Sequence, residues 1–455
     1  METLKVPFMQ LELVLKEVII DSYRKSKYVG IKMKEVCQLL SNQEYVKWYQ
    51  DTKLLIQIKQ GKKNCTKQEK KSVCDFYFND NDFQRIYRLD DAEKEKIIDW
   101  IKFIKGIDKV DITYKGKDEY KEKVNLDLEY IIQNLLILEQ QWRKKKFCFK
   151  LEFELYKEDI YFFNKVVENR RITNLVIDIM EGVCNIGTLC YNKTPSKSRL
   201  CQEIQELVNK YKIWEKYPTY NSEKLVGETV TCIVEPNVAA QLLHEAVGHL
   251  AEADVYQMAE TTKLRIDQRV STKELNIIDI PNSSELETSI FYDEEGTKAQ
   301  SVQIIQEGVL KVIMSDKCSA NRNKNYAICG VLRSSMDNFT PQIRMRNLII
   351  GDGNEDLGKT ITTTKYGLYI VKSDDAYRDF DKIYIHVDKA YIIENGKYIA
   401  KINDIWMYNS NIQLLSSISK IFHNGKWLNN LRCRKNGAYI WISTYSPGLE
   451  LKLKG

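Results

Sequence analysis

The chain has 455 residues, a net charge of +6 and eleven cysteines, a length that exceeds what one core usually organises and predicts two or three domains. The charge is too mild for a nucleic-acid surface. The basic runs KQGKKNCTKQEKK (59–71) and WRKKKF (142–147) do not interleave aromatic and base-reading residues, so both are expected to be solvated loops or helix ends. No apolar run of roughly twenty residues is present, which excludes a membrane-spanning helix, and cysteines scattered without a C-x-x-C pair predict reduced thiols in a cytoplasm.

In chain order, residues 1–22 read as an amphipathic helix and not as a signal peptide, because Glu12, Lys16 and Glu17 interrupt the apolar run. Residues 90–106 begin with acids, end on Lys105-Gly106 and repeat apolar residues at Ile97, Ile98, Ile101 and Ile104, which predicts a second helix. Residues 147–156 alternate instead, with Phe147, Phe149, Leu151, Phe153 and Leu155 on one face and Lys150, Glu152 and Glu154 on the other. This period of two, continued in 158–164 and 173–181, predicts an antiparallel sheet with one wet face. A helix is expected over 196–212 and a connection over 218–228. The fold class is α+β: an N-terminal sheet-and-helix domain over 1–220 serving assembly or substrate access, then a strand-rich domain over 221–455 with a helix beneath a curved antiparallel sheet.

That helix carries the chemistry. TVTCIVEP reads as a strand stopped by Pro236, Asn237 as an N-cap, and VAAQLLHEAVGHLAEA as a run of helix formers. In the ordinary zinc-protease helix two histidines at i and i+4 lie about forty degrees apart around the axis and hold one metal ion. Here His244 and His249 stand at i and i+5. A one-residue π-bulge brings i+5 back over i, and Gly248 is expected to ease that distortion. A charged Glu245 beside two imidazoles is an expensive way to fill a core unless a cation compensates it.

The stretch LLHEAVGHLAEAD resembles the zinc-site helix of the TldD/PmbA family of metallopeptidases, including the Glu and Asp that follow the second histidine, here Glu252 and Asp254. Residues 292–317 (YDEEGT to MSDK), 388–405 (DKAYIIENGK onward) and 433–453 (CRKNGAYIWISTYSPGLELKL) resemble further family segments, so the likeness covers 229–455. The resemblance implies a zinc peptidase with one Zn2+ per active subunit, held by His244, His249 and Cys433, with Glu245 as general base. Glu252 and Asp254 stand where a carboxylate can orient a ligand imidazole through its second nitrogen. Lys435 is expected to help keep the Cys433 thiol ionised. The resemblance also implies a dimer, with a motif-lacking paralogue or with a second copy, enclosing a site for unfolded or extended peptides.

Two rival readings are a dipeptidyl-peptidase-III-like exopeptidase, with Glu294-Glu295 supplying the third ligand, and a non-catalytic scaffold subunit of a TldD/PmbA-type complex. His386 and His423 lack partners at ligand spacing, and Cys232 reads as a small apolar residue. Two departures from the family bear on specificity. Its glycine-rich backbone is absent from 373–397, and ISTY stands at 442–445 where the family has VGVG. Glycine permits close approach of a peptide strand, so its loss predicts a reshaped channel and a specialised processing protease, such as one removing leader segments from ribosomally made peptides.

Overall fold

The computed structural model describes residues 45–59, 62–80, 83–90, 113–114, 126–141, 147–162, 166–258, 264–337 and 340–455. The helices expected over 1–22 and 90–106 lie outside these residues, apart from Asp90, and so does the basic run at 142–147, apart from Phe147.

The N-terminal half is a seven-stranded sheet built from β1 (Tyr45–Lys59), β2 (Lys62–Asp80), β3 (Phe83–Asp90), β4 (Thr113–Tyr114), β5 (Phe147–Phe162), β6 (Val166–Glu181) and β7 (Cys184–Tyr191). Its order is β3-β2-β1-β5-β6-β4, with β7 also on β6. Helices α1 (Leu128–Gln141) and α2 (Lys197–Glu215) cover one face. Ile131, Ile132, Leu135, Leu200, Ile204 and Val208 pack there on Phe149, Leu151, Phe153, Ile177 and Ile179. Ser196 caps α2 by accepting from Arg199 N–H.

Two expectations need correction. Of the run 59–71, the described residues are neither loop nor helix end: Lys59 ends β1 and Lys62–Lys71 run in β2, with Lys59 opposite Lys62. Ile56 and Ile58 are buried while the lysines lie exposed, so ladder pairing overrides a polar composition. The single wet face also holds for only part of β5. Lys150 and Glu152 are exposed, but Glu154, Tyr156 and Glu158 on the same face are buried, because the C-terminal half covers them: Tyr156 meets Trp441, ring centroids 6.5 Å apart, and Glu154 pairs with Arg432.

The C-terminal half has a core of its own, running from Leu225 to Leu453. Its strands are β8 (Thr229–Val234), β9 (Ile277–Ile280), β10 (Val302–Gln306), β11 (Val309–Leu310), β12 (Asn347–Ile350), β13 (Tyr366–Asp379), β14 (Lys382–Glu394), β15 (Lys397–Ile402), β16 (Ile405–Ser410), β17 (Lys426–Lys435), β18 (Ala438–Ser446) and β19 (Leu449–Lys454), besides shorter pairs. One sheet runs β13-β8-β19-β16-β14-β15, and an added β13–β14 pairing closes five of its strands into a ring; a second runs β11-β10-β9-β12-β18-β17. Helix α3 (Pro236–Leu243) packs against β13 of the first and β18 of the second. The α+β class and the strand-rich second half are as the sequence predicts. Among the described residues no helix is long and apolar enough to cross a membrane.

Candidate metal centre

β8 delivers the chain directly into α3. The N-cap is Glu235 and not Asn237: Pro236 occupies the first helical position, where its missing N–H costs nothing. Glu235 N–H donates instead to Ile370 O of β13 at 3.0 Å. After Leu243 the helix widens into a π turn over His244–Gly248, and His249 N–H donates to His244 O at 3.0 Å, an i to i+5 bond. The extra residue puts the two imidazoles side by side, ring centroids 4.8 Å apart.

Gly248 serves this turn differently from expectation. Its φ is not in the left-handed region. A Cβ there would lie 2.2 Å from Met345 Sδ and 3.0 Å from Leu348 Cδ1, so glycine is needed for close packing and not for backbone freedom.

Cys433 reaches the histidines from β17, 184 residues beyond His249. Its Sγ lies 3.2 Å from His244 Nε2 and 3.4 Å from His249 Nε2. The three donor atoms fall within 4.8 Å of one another, the only such His/Cys/carboxylate group among the described residues. Alternation along β17 gives neighbouring residues separate tasks: Cys433 faces the histidines, whereas Arg432 pairs with the buried Glu154 of the N-terminal sheet. An Asn436-Gly437 turn with φ of 47° and 79° reverses the chain into β18, as type I′ geometry requires.

The surroundings hold the Cys433 thiol in its charged state. Burial pushes the Cys433 thiol up, but His249, His244 and Arg344 outweigh it and set it well below its ordinary range. Arg344, fully buried, places a terminal nitrogen 3.0 Å from the thiol and 2.8 Å from Cys433 O. Lys435 does not touch the thiol, contrary to expectation; it donates to Glu252 (2.7 Å), Asp254 (2.8 Å) and Ile343 O (2.9 Å). Glu252 in turn accepts at Oε2 from His249 Nδ1 at 3.1 Å and at Oε1 from Met345 N–H at 2.8 Å. Burial raises the Glu252 carboxyl, but His249 and Lys435 overcome this and hold it ionised. Asp254 meets Lys435 and not an imidazole. Glu245 lies 3.9 Å from His244 Nε2, and burial raises its carboxyl above the ordinary carboxylate range.

These donors fit zinc. Two imidazole nitrogens and a thiolate are the ligand types zinc takes, three in number as in catalytic sites. His249 turns Nδ1 to a carboxylate and leaves Nε2 toward the thiol, which is the orientation of a metal-bound histidine.

The other candidates lie elsewhere. Glu294 Oε1 accepts from Ser334 N–H at 2.7 Å, and Glu295 Oε2 from Lys317 N–H at 3.2 Å, so the Glu-Glu pair organises loops and is not in the donor cluster. Cys232 is wholly buried in β8, with Sγ 3.5 Å from Val230 O. His423 Nδ1 lies 2.8 Å from Glu355 O. His386 does have partners: its nitrogens lie 2.5 Å from Asp374 and 2.9 Å from Asp404.

Sequence reasoning missed the segment 342–350. Ile343 O takes Lys435, Arg344 touches the thiol, Met345 N–H holds Glu252 and its side chain covers Gly248, and Arg346 forms a buried pair with Asp279 at 2.5 Å. The signal was present as two arginines in an otherwise apolar strand-like run, since buried guanidiniums demand specific partners. ISTY at 442–445 is likewise occupied: Ser443 bonds Thr288 (2.9 Å) and Tyr445 bonds Asp352 (2.6 Å).

Comparison with known proteins agrees with this geometry. Residues 227–449 match the model of the PmbA/TldA metallopeptidase C-terminal domain. A zinc metalloprotease TldD homolog of Saccharolobus solfataricus is 29% identical over 222 residues, 48% of this chain and 49% of that protein. A metalloprotease TldD homolog of Buchnera aphidicola is 27% identical over 236 residues, 51% of this chain and 49% of that protein. The match thus spans about half the length of these curated relatives. TldE of Thermococcus kodakarensis superimposes with a TM-score of 0.66 at 11% identity, covering 93% of this chain and 99% of that one, which extends the likeness of fold over nearly the whole chain. Residues 227–449, with the histidine helix and Cys433 inside the matched span, are thus similar to the C-terminal domain of the TldD/PmbA family of metallopeptidases.

Proposed function

We propose that the protein is a zinc-dependent peptidase that hydrolyses unfolded or extended peptides. The observation that carries this reading is the convergence of His244, His249 and Cys433 with Glu245 beside them. His244, His249 and Cys433 hold one zinc ion per active subunit. Zinc, when bound, supplies a Lewis acid and lowers the pKa of water toward neutrality. Glu245 takes the proton of the attacking water and passes it to the leaving amine, as general base and then acid; burial, which raises its carboxyl, suits it to both steps. Glu252 fixes the His249 ring, Lys435 neutralises Glu252, and Arg344 stabilises the thiolate.

The chain divides near residue 220, the first part serving assembly or substrate access. It works as a dimer in a cytoplasm, with a motif-lacking paralogue or with a second copy. Peptides bind partly through main-chain hydrogen bonds as added strands. The segments 373–397 and 442–445, which lack the family's glycine-rich pattern, reshape the channel and suit a processing protease such as one removing leader segments.

The test is cleavage of a set of unstructured peptides by the zinc-loaded full chain, alone and mixed with a motif-lacking relative encoded beside it. Cleavage abolished by a zinc chelator and restored by zinc is the expected result. Zinc-loaded protein that cleaves no peptide in either setting overturns the reading in favour of a scaffold role.

A further inference from the structure

Arg378 lies at the end of β13, just before the turn into β14, in the segment that departs from the family's glycine-rich pattern. β13 and α3 run side by side. Glu235 N–H meets Ile370 O, and further along Gln241 Oε1 accepts from Ser373 Oγ at 2.8 Å. Continuing both elements in the same direction brings the π turn, with Glu245, alongside Ala376 and Arg378. Ala376 packs on the core, and the ladder partners of these two residues, Ile385 and Ile383, are fully buried. Arg378 is therefore on the inner face.

Its guanidinium is desolvated. Nε donates to Phe380 O at 2.8 Å, but Nη1 and Nη2 are buried without a hydrogen-bond partner. The charges acting on it are the carboxylates of Glu245, Asp381 and Glu252; of these, Glu252 is fully engaged by His249, Lys435 and Met345. A second polar group stands at the same turn. Asn411 begins helix α4 (Asn411–Ser416), donates its backbone N–H to Asp381 O at 2.6 Å, and is wholly buried with neither side-chain oxygen nor nitrogen partnered. Both β13 and α4 pack against the π turn.

Buried donors left open are costly unless a ligand completes them. A guanidinium fork with two free terminal nitrogens matches one ligand group above others, the planar carboxylate, which takes two parallel N–H bonds. We propose that Arg378, assisted by Asn411, binds a carboxylate of the peptide beside the metal centre and so selects substrates that carry one, either the C-terminal carboxylate or an Asp or Glu side chain next to the bond cut. The inference rests on the peptidase reading and specifies its substrate.

The test measures binding by fluorescence anisotropy to the zinc-loaded full chain carrying Glu245→Gln. Three labelled peptides of one otherwise neutral sequence are compared: the free acid, the C-terminal amide, and the amide with one internal aspartate. The free acid or the aspartate peptide binds roughly tenfold to a hundredfold more tightly than the neutral amide, and whichever does so identifies the carboxylate. Arg378→Gln abolishes that preference while leaving the neutral amide's affinity unchanged, and Arg378→Lys restores part of it. Equal binding of all three peptides overturns the inference, as does an Arg378→Gln variant, folded by its thermal transition, that weakens charged and neutral peptides alike. Failure of the peptidase reading looks different: carboxylate-dependent binding persists while the unsubstituted enzyme cleaves none of the three.

Discussion

The Arg344 guanidinium touches the Cys433 thiol at 3.0 Å, in a place where both side chains are buried. A buried thiol would ordinarily hold its proton; beside a fixed cation and two imidazoles it gives the proton up. The thiolate is thus prepared by the fold. In metal-free protein, Arg344→Lys should move the pH midpoint of Cys433 alkylation upward, because a point charge on a different stem cannot hold the same contact. Zinc affinity, read by competition with a chromogenic chelator, should fall by roughly tenfold to a hundredfold. An unchanged alkylation profile would assign the thiol's acidity to the histidines alone.

Glu252 joins His249, Lys435 and Met345 N–H with no exposure to solvent. Removing its charge leaves Lys435 with only the half-buried Asp254 as a counter-ion. Glu252→Gln should destabilise the fold by about 3–5 kcal/mol, as breaking a buried pair does, measured by urea unfolding of the metal-free protein. The double variant Glu252→Gln/Lys435→Met should recover part of that loss. No recovery would mean that Glu252 acts chiefly through its backbone contact.

Gly248→Ala tests why glycine follows the π turn. With Met345 Sδ 2.2 Å from the added Cβ, the substitution should cost about 1–3 kcal/mol by overpacking, and Met345→Ala in the same chain should relieve it. A neutral Gly248→Ala would show that the turn shifts freely.

His386 predicts a pH dependence away from the metal centre. Burial opposes its charging, but the bonds to Asp374 and Asp404 win and raise it above its ordinary 6.5. With the folded value raised, the stabilisation is fully present below the unfolded value and is lost as pH rises through the folded one. The stability gap between the wild type and His386→Asn should therefore shrink between about pH 6 and pH 9. A gap that widens over that range would contradict the assignment.

Much of the centre was legible because its logic is local. The i to i+5 histidines implied a widened turn, and His249 N–H bonding His244 O is that turn. Glu252 stands three residues beyond His249 and meets its second nitrogen. Cys433 came from resemblance, since no periodicity links residues 184 apart. What escaped was non-local. The burial of Glu154 and Glu158 depends on β17, β18 and their neighbours covering a face that the strand pattern alone makes wet. Lys435 looked like the thiol's cation by proximity in sequence and shares its face of β17, yet its amine is taken up by Glu252, Asp254 and Ile343 O, and Arg344 takes the place from a connecting segment 89 residues earlier. The strand over 62–71 was misjudged because its lysines mask a segment held by its partner strand.

The central claim is that His244, His249 and Cys433 together hold zinc while Glu245 serves only the reaction. Bound zinc, counted by mass spectrometry alongside peptide cleavage for the wild type, Cys433→Ala and Glu245→Gln, tests it most directly. One zinc per active chain is predicted for the wild type and for Glu245→Gln, with turnover lost in the latter, and neither zinc nor turnover in Cys433→Ala. Full zinc and full turnover in Cys433→Ala would contradict the account and move the third ligand to a carboxylate.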